Sequence, residues 1–140
     1  MPTRSATAEW KGGLKGQGSF RGQTGFAGQY TVGSRFESGT GSNPEELLAA
    51  ADASCFSMKL SLDLEKAGHP PTSVETKGDC TIEKQGEGWK ITRMLLTTRA
   101  AVPGIDAAKF EAIAQAAKEG CPVSAALKGN VQITLDAKLV

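Results

Sequence analysis

The stretch 42–71, SNPEELLAAADASCFSMKLSLDLEKAGHPP, constrains the fold more than any other part of the chain. It carries the start and stop signals of one long helix. Asn43 can accept from a free N–H of the first turn, and Pro44 suits the first helical position. Glu45 and Glu46 stand at the positive end of the dipole, with Glu46 at capping-box spacing from Asn43. Gly68, followed by Pro70 and Pro71, ends the helix. At about 100° per residue, Leu48, Ala51, Cys55, Met58 and Leu62 form one apolar stripe, and Ala53, Phe56, Leu60, Leu64 and Ala67 form a second on the opposite side. A charged edge (Asp52, Lys59, Asp63, Lys66) and a small polar edge (Ser54, Ser57, Ser61) run between them. A surface helix has a single apolar stripe. This one calls for packing partners on two sides, and Cys55 sits in the middle of one stripe.

The 140 residues fit a single domain, 1–140, long enough to bury a core without staples. Sixteen basic against fifteen acidic residues, net +1, supply neither a nucleic-acid footprint nor an acidic tail. The N-terminal MPTRSATAEWKGG lacks the apolar run of a signal peptide, and no segment is long enough to cross a bilayer, so the expectation is a cytoplasmic protein with no membrane partner. Three cysteines without a secretory signal are expected to be reduced thiols, any disulfide being transient and chemical.

Residues 6–36 contain the strand-like pieces ATAEW, SFRGQ and QYTVGSRF, which predict a small antiparallel meander. Gly16 to Arg21 begins like a dinucleotide fingerprint, but its sixth position is Arg21 and no helix follows, so glycine turns are the better reading. After Pro71 the period becomes two: Val74, Thr76, Gly78, Cys80 and Ile82 share one face of a half-buried strand. Gln85 to Gly88 reads as a hairpin turn, with the return strand from Trp89 to Ala101. Asp106 caps a second helix bearing Phe110, Ile113, Ala114 and Ala117. Pro122 then makes Cys121 the cap of a short one, and Val131 to Leu135 is a final strand. Strands and helices without a regular βαβ repeat predict an α+β class with a largely antiparallel sheet.

Cys55 on an apolar stripe reads by itself as a small buried hydrophobe. Cys121 at a helix N-terminus meets conditions that favour a thiolate, although a cap cysteine can also be purely structural. Cys80 faces the inner side of its strand and reads as core. His69, the only histidine, lies in a proline-rich loop, and with no Cys-x-x-Cys neither a zinc site nor a thioredoxin-type motif is expected.

Taken together, NPEELLAAADASCFSMKLSL, the preceding SRFE, the later AVPGIDAAKF and the segment EGCPVSAAL resemble the OsmC branch of the OsmC/Ohr family, the osmotically inducible thiol peroxidases. The resemblance spans nearly the whole chain. It implies an OsmC-like fold, with antiparallel sheets around a long central helix, in an intertwined homodimer with two active sites at its interface. It also implies that Cys55 is the peroxidatic thiol, that Cys121 resolves it, and that Arg35 in SRFE and Glu45 in NPEE are their partners. No metal or other cofactor is implied. The resemblance further implies organic hydroperoxides as the substrate class, with hydrogen peroxide used less efficiently, and a lipoyl-type or small dithiol as the electron donor.

The chemistry is consistent with that assignment. Peroxide cleavage needs a deprotonated sulfur and a cation beside the departing oxygen. Cys55 lies about three turns into its helix, beyond reach of the dipole, and needs an external cation. Arg35 can supply it, with Glu45 holding the guanidinium fork. Glu45 and Cys55 are ten residues apart, about 15 Å along one helix, so Glu45 with Arg35 is expected to serve the Cys55 site of the other subunit. Leu48, Phe56 and Met58 are candidate walls for the peroxide. The rival expectation is a non-enzymatic redox sensor or hydrophobic-ligand-binding dimer using the same thiols or pocket.

Overall fold

The computed structural model describes residues 1–140, with the element order β1 (Ala6–Lys11), β2 (Gln17–Gly22), β3 (Ala27–Tyr30), α1 (Val32–Phe36), α2 (Pro44–Lys66), β4 (Ser73–Gln85), β5 (Gly88–Ala101), α3 (Ala107–Gly120), α4 (Pro122–Leu127) and β6 (Gln132–Leu139). The class is α+β, with two three-stranded sheets. Two compact units are distinguished, Met1–Glu46 and Leu47–Val140.

In the first unit β1, β2 and β3 form the expected antiparallel meander, with Ala6 opposite Gly22 and Gly18 opposite Tyr30. Gly18 lies where a Cβ would meet the Tyr30 ring at 2.6 Å and the Trp10 ring at 2.7 Å. The glycine therefore makes room for the tilted Trp10–Tyr30 pair rather than for a phosphate. The piece QYTVGSRF does not continue as a strand. Thr31 takes an extended conformation, its hydroxyl accepts from the Ser34 N–H at 3.0 Å, and its own N–H donates to Ser34 Oγ at 2.8 Å. This reciprocal cap turns Val32–Phe36 into α1, since local side-chain bonds compete with the strand ladder.

The second unit holds the hydrophobic core, and every buried apolar side chain lies at or beyond Ala49. The hairpin β4–β5 turns through Gly86 and Glu87, with Gln85 opposite Gly88 and a bulge near Thr81 and Ile82. β6 pairs with β5 in parallel, Arg93 opposite Gln132 and Ala100 opposite Leu139. The sheet is therefore mixed rather than all antiparallel, because the chain between β5 and β6 makes a crossover through α3 and α4. Asp106 caps α3, its carboxylate accepting from the Lys109 N–H at 2.8 Å, and Phe110, Ala114 and Ala117 are buried.

Both ends of α2 form as the sequence predicts. Asn43 Oδ1 accepts from the Glu46 N–H at 2.8 Å, while the Glu46 carboxylate takes the Ser42 hydroxyl at 2.6 Å. At the other end Gly68 adopts φ +86°. Its N–H reaches the Leu64-turn carbonyl of Glu65 at 2.9 Å, and the His69 N–H reaches Leu64 O at 2.9 Å, a Schellman closure.

The two stripes of α2 differ in burial. Phe56, Leu60 and Leu64 have no exposed surface, and Ala49 and Ala53 join them in the core. Each large side chain so buried contributes about 1.5–3 kcal/mol. On the other stripe Met58 is 64% and Leu62 46% exposed. The small polar edge joins the sheet through hydroxyls: Ser57 donates to Thr76 at 2.7 Å, and Thr76 meets Thr98 at 2.8 Å. Asp52, on the charged edge, is fully buried with Ser124 as its partner.

Candidate active site

Asp52 and Cys55 are three residues apart on α2, so they share a side of the helix. Cys121 and Ser124 have the same spacing across the start of α4. Cys121 ends α3 and begins α4 with an extended backbone, and Pro122 opens the new helix. Its side chain makes no capping bond. Instead its sulfur lies 2.9 Å from Cys55 Sγ and 3.8 Å from Asp52 Oδ1, while Ser124 Oγ donates to the same Oδ1 at 2.6 Å. The two helix pairs therefore face each other, thiol to thiol and hydroxyl to carboxylate.

The two sulfurs differ in access. Cys121 is fully buried and Cys55 half-buried. Burial is the largest influence on the Cys55 thiol and pushes it up; the hydrogen bond with Cys121 acts in the same sense, the Val123 backbone N–H opposes it, and the charges of Cys121 and Asp52 push it up further. At neutral pH this environment keeps Cys55 mainly protonated. None of the groups that shift it is a cation. The sulfurs need to close by less than about 1 Å to reach disulfide bonding distance.

Arg35 and Glu45 form a second constellation in the N-terminal unit. Arg35, in the last turn of α1, sends Nε and Nη2 to one oxygen, Glu45 Oε1, at 2.9 and 2.8 Å. Its guanidinium carbon lies 5.0 Å from the Phe36 ring centroid. Glu45 is buried, its Oε2 has no hydrogen-bond partner, and Arg35 keeps 35% of its side chain exposed. Glu45 Oε1 thus fixes the guanidinium of Arg35.

The expected pocket walls have three different environments. Phe56 is in the core, Leu48 is half-buried against it, and Met58 is open on the same stripe as Cys55. Sequence reasoning missed Asp52 and Ser124. A signal existed: Lys59 stands four residues before Asp63 and pairs with it at 2.7 Å, whereas no Lys or Arg lies three or four residues from Asp52. No helix is long and apolar enough to cross a membrane.

Residues 37–136 match the family described as OsmC-like protein. The chain is 47% identical over 139 residues to peroxiredoxin OsmC of Escherichia coli, covering 97% of this chain and 96% of that one. It is 35% identical over 100 residues to an organic hydroperoxide resistance protein of Xanthomonas axonopodis pv. citri, covering 69% and 67%. Among solved structures, OhrB of Bacillus subtilis superposes with a TM-score of 0.75 at 27% identity over 96% of this chain and 98% of that one. An organic hydroperoxide resistance protein of Elizabethkingia anophelis shares the fold, with a TM-score of 0.77 at 23% identity over 100% and 98%. With its α+β architecture, its juxtaposed thiols and these matches across both compact units, the chain belongs to the OsmC-like family.

Proposed function

We propose that this chain is a thiol-dependent peroxidase that reduces organic hydroperoxides, and hydrogen peroxide less efficiently. The observation that carries this reading is the pair of sulfurs 2.9 Å apart, one half-buried and one fully buried. A hydroperoxide arriving from solvent meets Cys55 first. The Cys55 thiolate attacks one peroxide oxygen, the O–O bond breaks, the alkoxide leaves and takes up a proton as alcohol, and Cys55 becomes a sulfenic acid. Cys121 then condenses with it to a Cys55–Cys121 disulfide and water, ahead of further oxidation. An external dithiol, of small or lipoyl type, returns both thiols by exchange.

The thiolate needs a cation, and Arg35 oriented by Glu45 is our candidate. About 15 Å of helix separates Glu45 from Cys55, which favours Arg35 of one protomer serving Cys55 of the other in a homodimer. Leu48 and Met58 are candidates for the apolar approach to the thiol, with Phe56 supporting the helix from the core. The two compact units act as one domain, 1–140, in keeping with a relative that matches 97% of the chain. A reducing cytoplasm suits a site built on reversible thiols.

The test is consumption of cumene hydroperoxide with a dithiol donor, compared with hydrogen peroxide, in wild type, Cys55→Ser and Cys121→Ser. Multiple turnovers in wild type, none in Cys55→Ser, and oxidation of Cys55 without an internal disulfide in Cys121→Ser are expected. Consumption by Cys55→Ser at the wild-type rate refutes the assignment, and one stoichiometric oxidation without turnover favours a redox sensor.

A further inference from the structure

The cleavage step calls on nothing from Asp52, whose charge works against it by helping to keep the Cys55 thiol protonated. It also costs stability. A carboxylate with no exposed surface and with Oδ2 lacking any partner is unfavourable in a core. Such a group calls for a role elsewhere in the cycle, and its one engaged oxygen faces Cys121 and Ser124.

We propose that Asp52 is the general base of the second step, taking the Cys121 proton as that sulfur attacks the Cys55 sulfenic acid, with Ser124 as the positioning residue that aims the carboxylate. The proposal rests on the peroxidase reading above. In the reduced site the Cys121 proton has two acceptors, Cys55 Sγ at 2.9 Å and Asp52 Oδ1 at 3.8 Å. Once Cys55 is a sulfenic acid its sulfur is the electrophile, and Asp52 is the remaining acceptor. Water is a poor substitute, because both Cys121 and Asp52 are fully buried. Catalytic contacts are commonly long at rest and tighten in the reaction.

The step balances without any further reactant. The Cys121 S–H bond breaks and its proton passes to Asp52; the Cys121 electron pair forms the S–S bond; the Cys55 S–O bond breaks and hydroxide leaves. Hydroxide then takes the proton from Asp52 and departs as water. One thiol and one sulfenic acid become one disulfide and one water, and the carboxylate is restored.

Asp52→Asn keeps the shape of the side chain and removes the base. Rapid quenching after mixing with cumene hydroperoxide, with mass spectrometry of Cys55 sulfenic acid and of the disulfide, separates the two steps. Ultraviolet thiolate absorbance follows the titration of Cys55. Disulfide formation is expected to slow about a hundredfold. The loss of a neighbouring anion is expected to lower the Cys55 titration and speed sulfenic acid formation at neutral pH. These opposite effects distinguish a base from a packing residue, whose loss slows both steps. Disulfide formation at the wild-type rate, or equal slowing of both steps, overturns the proposal. If Asp52→Asn does not fold, Ser124→Ala decides: resolution about tenfold slower, the value of one lost hydrogen bond, supports the proposal, and unchanged resolution overturns it. Failure of wild type to form any sulfenic acid refutes the peroxidase reading instead.

Discussion

Cys55 and Cys121 carry the same functional group, and their surroundings separate their roles. Because burial and the neighbouring Cys121 and Asp52 raise the Cys55 thiol, the reactive anion is scarce at neutral pH and grows as pH rises towards the raised value. In the dissociated protomer, away from the Arg35 of a partner, the alkylation rate of Cys55 by iodoacetamide, followed by peptide mass mapping, is therefore expected to climb about tenfold per pH unit through neutrality without levelling near pH 8.5, the ordinary thiol value. Arg35 supplies two nitrogens to one Glu45 oxygen, which a lysine cannot reproduce. Arg35→Lys is expected to slow Cys55 sulfenic acid formation at least about tenfold in rapid-quench measurements, leaving the subsequent disulfide step intact. The residue types at 35, 45, 55 and 121 were legible through the family's motifs. The burial of Asp52 was not, because helical periodicity groups it with Lys59 and Asp63 and says nothing of the Ser124 hydroxyl, 72 residues away, that donates to it.

The central element is α2, and its two stripes predict opposite mutational responses. Phe56→Ala empties a fully buried position and is expected to cost about 3–5 kcal/mol in urea unfolding, whereas Met58→Ala, on the open stripe, is expected to leave the stability of the single chain within about 0.5 kcal/mol. Where α2 crosses β4, a Cβ on Gly78 would meet Ala49 O at 2.7 Å. Gly78→Val is accordingly expected to destabilise by about 1–3 kcal/mol through forced separation of helix and strand. The limits of α2, the β4–β5 hairpin, the Asp106 cap and the Cys121 cap were all readable locally. By contrast, α1 was hidden in a strand-like run, because the Thr31–Ser34 cap competes at short range with period-two patterning. The parallel pairing of β6 was hidden as well, since it depends on how the chain returns through α3 and α4.

At the scale of the molecule, the N-terminal meander exposes all six residues of β1 and has no buried apolar side chain of its own. A three-stranded sheet needs an apolar face to pack. Together with the open Met58 and Leu62 stripe, this favours the proposed homodimer. Met58→Glu is expected to shift sedimentation from dimer towards monomer and to lower peroxidase turnover together; a stable dimer with normal turnover would remove this stripe from the interface. The sequence by itself determined the limits of α2, the starts of α3 and α4, that β4 turns back into β5, and that one face of α2 is more than a surface, because capping, turn chemistry and periodicity act between near neighbours. Only the tertiary structure decided how closely Cys121 approaches Cys55 across 66 residues and that Asp52 is enclosed beside them. Those relations depend on the packing of α4 beside α2, and neither segment specifies the distance by itself.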